Sequence, residues 1–100
     1  MEGTKSIQHE RIRRAIERWQ AGVDREASFR LLVEAYYRPL RFYFAKRGFS
    51  AEDARDLTQE AFFGIYRGLP RFRREARFDT WLYQVAANTC RKALRDRHVQ

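Results

Sequence analysis

Residues 78–95, FDTWLYQVAANTCRKALR, combine two helical faces in one run. Small and apolar side chains recur there at three- and four-residue spacing, which is typical of the buried stripe of an α-helix. This stripe consists of Phe78, Leu82, Val85, Ala86, Thr89 and Ala93. The opposite side carries two amides followed by three cations, namely Gln84, Asn88, Arg91, Lys92 and Arg95. We therefore predict an amphipathic helix whose polar side is either an ordinary solvated face or a contact surface.

Two further helices are predicted before residue 49. The first has the buried stripe Ile12, Ala15, Ile16 and Trp19. It ends near Gly22, because glycine commonly follows a helix, and Asp24 can cap the next one. The second helix has the buried stripe Phe29, Leu32, Val33, Tyr36, Leu40, Tyr43 and Phe44. Pro39 is expected to kink or divide it near residues 37–38, and Gly48 ends it.

A third helix begins at residues 50–53, SAED, which form a capping box. In this motif the Ser50 side chain accepts a hydrogen bond from the Asp53 amide, and the Asp53 side chain can bond back. The predicted buried stripe is Ala54, Leu57, Thr58, Ala61, Phe62 and Ile65. The following stretch, GLPRFRREARF at residues 68–78, has four arginines and no periodicity. We interpret residues 69–76 as an ordered basic loop.

The chain is predicted to be all-α, a compact bundle of about four helices with the ordered basic loop between the last two. Strand signals are absent, since there is neither period-two alternation nor a hairpin turn dipeptide. The third and fourth helices are expected to pack together, with the second across them. We assign residues 1–21 to an N-terminal helix, residues 22–97 to the main domain and residues 98–100 to a tail.

The net charge of +8 over 100 residues favours a polyanionic partner, more often nucleic acid than an anionic membrane surface. A basic helical domain without such a partner is the competing interpretation. No apolar run approaches the roughly 18–20 residues that span a bilayer, and the first residues lack the apolar segment of a signal peptide. The single cysteine, Cys90, cannot form an internal disulfide, which fits a reducing cytoplasm. We expect a cytoplasmic protein without membrane contact.

The outward face of the third helix is acidic although the protein is basic. It carries Asp56, Gln59, Glu60, Phe63 and Arg67, opposite the buried stripe. Such a face is poorly suited to DNA. It is either a solvated face with one exposed aromatic residue, which is common, or a protein contact surface.

The basic loop and the fourth helix point to nucleic acid instead. Asparagine and glutamine amides can form two hydrogen bonds to a base edge, while arginine and lysine neutralise phosphates. In the loop, Phe72 and Phe78 alternate with arginines, a pattern that suits unpaired bases stacking on aromatic rings. On this interpretation Phe72 and Glu75 lie near a base, and Arg71, Arg73 and Arg74 contact phosphates.

No catalytic, metal-binding or cofactor-binding constellation is visible. His9 and His98 are isolated, and neither has metal-ligand spacing with Cys90. No glycine-rich phosphate loop is present. Asp56 and Glu60 lie one helical turn apart but have no predicted cleft that would make them an acid–base pair. We therefore expect a protein that is not an enzyme and needs no metal or cofactor.

Three blocks of sequence in order carry a family resemblance: DLTQEAF, then RF with a following acidic residue in the loop, then TWLYQVAANT. With these blocks, residues 22–97 resemble region 2 of bacterial RNA polymerase sigma factors of the extracytoplasmic-function class. The resemblance implies a transcription initiation factor that binds RNA polymerase core. It also implies recognition and melting of the promoter −10 element on the single-stranded non-template strand.

The resemblance assigns roles to individual positions. The polymerase contact, made with the clamp helices of the largest subunit, falls on Asp56, Leu57, Gln59 and Glu60, to which we add the neighbouring Phe63. Residues 71–77 match the loop that takes a flipped base. The expected DNA contacts are Phe72, Arg73, Arg74, Glu75, Ala76, Tyr83, Gln84, Asn88, Arg91, Lys92 and Arg95, with Asn88 as a base reader.

Two other functional hypotheses stay open at this point. The domain could be a protein-interaction module regulated by an anti-sigma partner, with an incidental basic face. It could also be a non-specific basic nucleic-acid binder. Strand and sequence preference separates the three hypotheses, because only a sigma domain should favour single-stranded non-template promoter sequence.

Overall fold

A computed structural model of the chain describes the backbone of residues 2–99 and the side chains of residues 7–96. Within these residues the chain forms no strand and four α-helices: α1 (Glu2–Gln20), α2 (Arg25–Lys46), α3 (Ala51–Gly68) and α4 (Phe78–Val99). The all-α prediction is confirmed. The chain divides into two compact units, residues 1–36 and residues 37–100, so α2 contributes to both.

The first unit contains α1 and the beginning of α2. The predicted stripe of α1 is buried in full, at Ile12, Ala15, Ile16 and Trp19. The helix is longer than this stripe predicts, since it begins at Glu2. Gly22 ends it with a φ of 77°, and its N–H donates to the Trp19 carbonyl at 3.0 Å. This left-handed conformation is one that glycine adopts without a steric penalty.

Asp24 lies between α1 and α2 and contacts both helices, α2 through its backbone carbonyl and α1 through its side chain. Its carbonyl accepts the first helical hydrogen bond of α2, from the Ser28 N–H at 2.9 Å. Its carboxylate pairs with the Arg18 guanidinium. Arg25 then places its guanidinium 4.8 Å from the Trp19 ring centroid and donates to the Trp19 carbonyl at 3.1 Å.

Pro39 lies inside α2, which runs without interruption from Arg25 to Lys46. Of the two outcomes predicted for this position, division of the helix does not occur. Proline removes a single backbone hydrogen bond, whereas the apolar side chains on either side of it stay buried at Tyr36, Leu40 and Phe44. The burial of this stripe outweighs the lost bond.

The second unit begins with the remainder of α2 and its connection to α3. Gly48 has a φ of 92°, and its N–H donates to the Ala45 carbonyl at 3.1 Å. The ring of Phe49 then packs edge-on against Phe44 with 6.3 Å between centroids, the apolar contact that accompanies this type of helix end. Ser50 caps α3, because its side chain accepts a hydrogen bond from the Asp53 N–H at 3.1 Å. The predicted cap of α3 is confirmed.

The packing of α3 against α4 forms the main contact of the second unit. All six residues of the predicted α3 stripe are buried: Ala54, Leu57, Thr58, Ala61, Phe62 and Ile65. On α4 the buried residues are Phe78, Leu82, Ala86 and Cys90. Val85, Thr89 and Ala93 are only half-buried, so the predicted α4 stripe is partly wrong: the row that faces the core is spaced by four residues and includes Cys90.

Two glycines let α4 approach α3 closely. A Cβ atom at Gly68 would lie 2.8 Å from Cζ2 of Trp81, and one at Gly64 would lie 3.0 Å from Cγ1 of Val85. Non-bonded carbon atoms are optimally about 3.5–4.0 Å apart, so the distance at Gly68 is too short to be allowed, and the one at Gly64 would require the valine methyl to shift. The side of α3 that carries the glycines is therefore the side that α4 covers.

The C-terminal helix extends beyond the predicted domain end. α4 runs through Val99, past residue 97, so the residues assigned to a tail begin inside the helix. Gln100 and the side chain of His98 lie outside the described residues. Among the described residues, no helix combines the length and the apolar character needed to cross a bilayer.

Replacing Gly68 with alanine should destabilise the domain. The added methyl group would collide with the Trp81 ring at 2.8 Å, and such overpacking costs about 1–3 kcal/mol. The higher helix propensity of alanine offsets about 1 kcal/mol of this cost, so the free energy of unfolding should fall by about 1 kcal/mol. Gly64→Ala is the matched control. There the added methyl group meets only one methyl of Val85, which can shift, and the gain in helix propensity offsets the small steric cost. Urea unfolding measures both variants, and a Gly68→Ala protein at least as stable as Gly64→Ala would contradict this account.

Candidate nucleic-acid interface

The polar side of α4 forms an exposed ridge made of Gln84, Asn88, Arg91 and Arg95. The helical period places these residues on the side of α4 opposite the buried row that begins at Phe78. The Asn88 side-chain carbonyl accepts a hydrogen bond from the Arg91 guanidinium. This bond orients the amide and leaves its NH2 group to donate. The ridge therefore presents amides and cations on one exposed face, as the sequence predicted, and the bond from Arg91 orients one of these amides.

A groove of about 550 Å³ lies between α3 and α4 beside this ridge. We call it the basic groove; its lining comprises Glu60, Gly64, Arg67, Gly68, Arg71, Val85, Asn88, Thr89 and Lys92. The two glycines and Val85 form its small, uncharged base. Three cations and the Asn88 amide surround that base. Such a surface can hold a strand whose phosphates meet the cations while base edges reach the amide.

Arg67 and Arg71 belong to this groove, and the sequence did not place them there. Arg67 was assigned to the acidic outward face of α3, and Arg71 to the loop alone. The signal that could have located them is the pair Gly64 and Gly68, which marks the side of α3 that α4 approaches. Arg67 lies three residues from Gly64, so it projects along the same edge of the helix.

A second groove, of about 260 Å³, lies further along the same pair of helices. We call it the acidic groove; its lining comprises Phe49, Asp53, Asp56, Leu57, Glu60, Lys92, Ala93 and Asp96. Glu60 and Lys92 line both grooves, and their side chains form an ion pair with 3.8 Å between Oε1 and Nζ. The charge along the α3–α4 contact thus changes from acidic to basic at this pair.

The loop before α4 is more regular than predicted. It begins with a single turn of 3-10 helix at Leu69–Arg71. The Ala76 N–H then donates to the Arg73 carbonyl at 3.2 Å, which closes a tight turn. The four expected contact residues in this turn are all exposed: Arg73, Arg74, Glu75 and Ala76.

Phe72 is buried, with 7% of its surface exposed, which contradicts the prediction that its ring is a free stacking surface. Its ring centroid lies 5.1 Å from that of Trp81 and 5.4 Å from that of Phe78. Phe78 and Trp81 are in turn 5.7 Å apart. These three aromatic residues hold the loop onto the start of α4, because apolar rings gain more from mutual burial than from exposure. Phe72 therefore supports the loop from inside.

Tyr83 lies on the other flank of α4, away from the basic groove. Its ring centroid is 5.7 Å from that of Tyr43 on α2, and the Arg47 guanidinium lies 3.4 Å from the Tyr43 centroid. Burial raises the pKa of the Tyr83 phenol, and the negative charge of Asp79 raises it further. The phenol consequently stays protonated near neutral pH and can donate a hydrogen bond. The structure does not bring Tyr83 together with Asn88 and Lys92 in the basic groove.

The outward face of α3 is exposed at Asp56, Gln59, Glu60 and Phe63. Phe63 is 63% exposed, and Tyr66, one turn away, is 48% exposed. Leu57 is different: only 8% of it is exposed, because it belongs to the buried stripe. The Leu57 side chain reaches the surface only where it lines the acidic groove, and its role as a polymerase contact stays a prediction. Among the described side chains, no group of three or more histidine, cysteine, aspartate or glutamate residues is arranged to hold a metal ion.

Comparison with known proteins agrees with this geometry. The family model for Sigma-70 region 2 matches residues 32–99 of the chain. The chain belongs to the Sigma-70 region 2 family. The family predicted from the three sequence blocks is thereby confirmed.

Curated relatives of this family align over most of the chain. The RNA polymerase sigma-H factor of Pseudomonas aeruginosa is 36% identical over 88 residues, which are 88% of this chain and 45% of that protein. The ECF RNA polymerase sigma-E factors of Haemophilus influenzae and Escherichia coli are each 40% identical over 79 residues, which are 79% of this chain and 40% of those proteins. The chain therefore spans less than half the length of these relatives.

A solved structure shares the sigma region 2 fold. It is an NMR structure of an engineered region 2 of sigmaE in complex with GTAAAA. The two folds superpose with a TM-score of 0.76 at 34% sequence identity, over 87% of this chain and 88% of that one. The predicted sigma region 2 architecture is confirmed by this likeness.

The supporting position of Phe72 in this sigma region 2 fold can be tested by its effect on stability. Phe72→Ala should lower the free energy of unfolding by about 3–5 kcal/mol, as expected for deleting a buried phenylalanine. Arg73→Ala, at the exposed neighbouring position, should change it by no more than about 0.5 kcal/mol. Urea unfolding followed by far-UV circular dichroism provides the measurement. Equal stability of the two variants would show that the Phe72 ring is free in solution.

Proposed function

We propose that this domain acts in the cytoplasm as part of a transcription initiation factor that binds RNA polymerase core and recognises and helps melt the promoter −10 element. The observation that carries this proposal is the basic groove with its Asn88 amide, in a fold shared with a sigmaE region 2 solved with GTAAAA. The pattern of charge supports a strand of nucleic acid at this groove. A second, acidic surface on α3 supports a protein partner.

On this proposal the non-template single strand follows the basic groove. Arg67, Arg71 and Lys92 neutralise its phosphates, which contributes affinity without sequence information. Asn88 reads a base edge: its NH2 group donates, and the second lone pair of its carbonyl, beside the bond from Arg91, can accept. Arg91, which already orients the Asn88 amide, and Arg95 extend the phosphate contact along the ridge. Gln84 offers a second amide on that ridge.

The turn at residues 73–76 takes an unstacked base. Arg73, Arg74, Glu75 and Ala76 are exposed there on a backbone that the buried Phe72 fixes from inside. Flipping a base costs a few kcal/mol of lost stacking and pairing, which contacts to the flipped base must offset. A preformed turn reduces the entropy lost when such contacts form. Binding of the flipped base then favours the melted promoter over the duplex.

The outward face of α3 contacts the polymerase, at the clamp helices of its largest subunit. Asp56, Gln59 and Glu60 supply polar and negative groups, and Phe63 supplies an exposed apolar ring. Exposed aromatic residues beside charges are typical of protein interfaces. Negative charge on this face also repels DNA, so that the strand is directed to the basic groove. An anti-sigma partner that blocks the domain would compete for this same face.

The polymerase contact is tested by reversing the charge at Asp56 and Glu60. The Asp56→Arg/Glu60→Arg variant should keep its helicity, because surface changes away from caps and core shift stability by no more than about 0.5 kcal/mol. It should no longer bind polymerase core in a pull-down with purified core enzyme. The Arg13→Glu/Arg30→Glu variant, on exposed positions of α1 and α2, is the control and should bind as the parent does. Undiminished core binding by a folded Asp56→Arg/Glu60→Arg protein would refute this contact.

The base-reading role is tested with Asn88→Ala and Arg95→Ala on single-base variants of GTAAAA-containing single strands. Asn88→Ala should lose discrimination at one position, worth about 1–3 kcal/mol for a matched base. Arg95→Ala should weaken binding to every variant similarly, because a phosphate contact carries no sequence information.

Fluorescence anisotropy at fixed salt measures both sets of affinities. An unchanged preference profile in Asn88→Ala would remove Asn88 as the reader. Equal affinity of the parent for every strand and for duplex DNA would instead identify a non-specific nucleic-acid binder.

A further inference from the structure

The ion pair between Glu60 and Lys92 lies on the boundary between two surfaces of opposite charge. Its carboxylate comes from the face of α3 that we assign to a protein partner, and its ammonium comes from the helix that we assign to DNA. Both residues line both grooves. Each residue therefore shares a groove with charged groups other than its partner in the pair.

Lys92 lies between competing charges. Towards the acidic groove it faces Asp53, Asp56 and Asp96, whereas Arg67 and Arg71 share the basic groove with it. Among the described residues that line the basic groove, Glu60 is the acid. A phosphate entering that groove would thus meet a lysine whose ammonium group is already paired with the Glu60 carboxylate.

The pair is weak enough to be exchanged. Its atoms are 3.8 Å apart, and the two side chains are 61% and 48% exposed, so water competes with the contact. Exposed ion pairs of this kind are typically worth only a factor of about two to five in an equilibrium constant. A DNA phosphate or a partner cation can therefore displace one member.

We propose that Lys92 exchanges between Glu60 and a DNA phosphate, and that a polymerase cation which binds Glu60 releases Lys92 to the DNA. This inference rests on the proposed function and adds a coupling between its two binding surfaces. Glu60 lowers the affinity of the free domain for single strands by competing with phosphate for Lys92. Occupation of Glu60 by the polymerase removes that competition. By linkage, a bound strand raises the affinity for polymerase by the same factor.

The exchange is tested by a double-mutant cycle on the full chain without polymerase. The variants are Glu60→Gln, Lys92→Gln and the two together, with a labelled single-stranded DNA containing GTAAAA as the probe. Asp56→Asn is the matched control: Asp56 also lines the acidic groove beside Lys92, but its carboxylate pairs with Arg55 at 3.8 Å, so the change removes the same charge and leaves the Glu60–Lys92 pair in place. Affinity is measured across a series of salt concentrations.

Glu60→Gln should bind the strand about two- to fivefold more tightly than Asp56→Asn, the value of one exposed ion pair. Its log–log salt slope should be steeper by about 0.7, which corresponds to one additional phosphate contact on a single strand. With Lys92→Gln already present, Glu60→Gln should have no more effect than Asp56→Asn. A gain that persists without Lys92 would mean that Glu60 acts only through its long-range field, and the exchange would be refuted.

The outcomes separate this inference from the proposed function. If the parent binds the strand but Glu60→Gln and Asp56→Asn behave alike, the exchange fails and the function stands. If the parent binds no strand, the proposed function fails and the exchange fails with it.

The link to the polymerase is tested with purified core enzyme. A saturating concentration of the strand should raise the affinity of the parent for core, and this enhancement should be about two- to fivefold larger than in Lys92→Gln. The difference arises because the variant has no Glu60–Lys92 ion pair to release. Equal enhancement in the two proteins would overturn the coupling.

Discussion

The close approach of α4 to α3 at Gly64 and Gly68 is the constraint on which the functional surfaces depend. Val85 and Trp81 occupy the space that side chains at those positions would fill. Because the backbones come near each other there, the groove above them has an uncharged base with room for a strand. The same contact fixes the distance between Arg67 on one helix and Asn88 on the other. A wider separation would leave Arg67 and Asn88 without a shared groove.

The Trp81 ring connects this helix contact to the loop. It fills the space above Gly68 and also packs against Phe72 and Phe78, so that one aromatic cluster anchors both the groove and the turn. Buried rings therefore position a loop whose own side chains are exposed and charged. Burial of these rings on both sides of the arginine-rich turn opposes the mutual repulsion of its charges. The energy that orders the turn comes from residues on either side of it.

Periodicity and capping chemistry predicted the start of α3, its Ser50 cap and all six of its buried residues, because a strong local signal and a single buried face agree. The errors concern residues whose environment depends on how the helices and the loop pack together. Leu57 was assigned both to the core and to a partner surface; its burial confirms the first, and only its edge in the acidic groove is open to a partner. Phe72 lies in a stretch without periodicity, so nothing local distinguished a ring that supports the loop from one that stacks on a base. Arg67 required knowledge of which side of α3 the next helix covers, and that depends on tertiary packing.

Acidic and basic side chains lie on different parts of the α3–α4 pair, in the acidic groove and the basic groove. A uniformly basic surface would bind any polyanion in many orientations. In the function that we propose, negative charge at Asp56 and Glu60 leaves the basic groove and the ridge of α4 as the favourable path for a strand. Orientation thus comes from repulsion on one side as much as from attraction on the other. Glu60 and Lys92 stand where the two fields meet, and in the exchange that we propose a change at one surface reaches the other through this single side-chain contact.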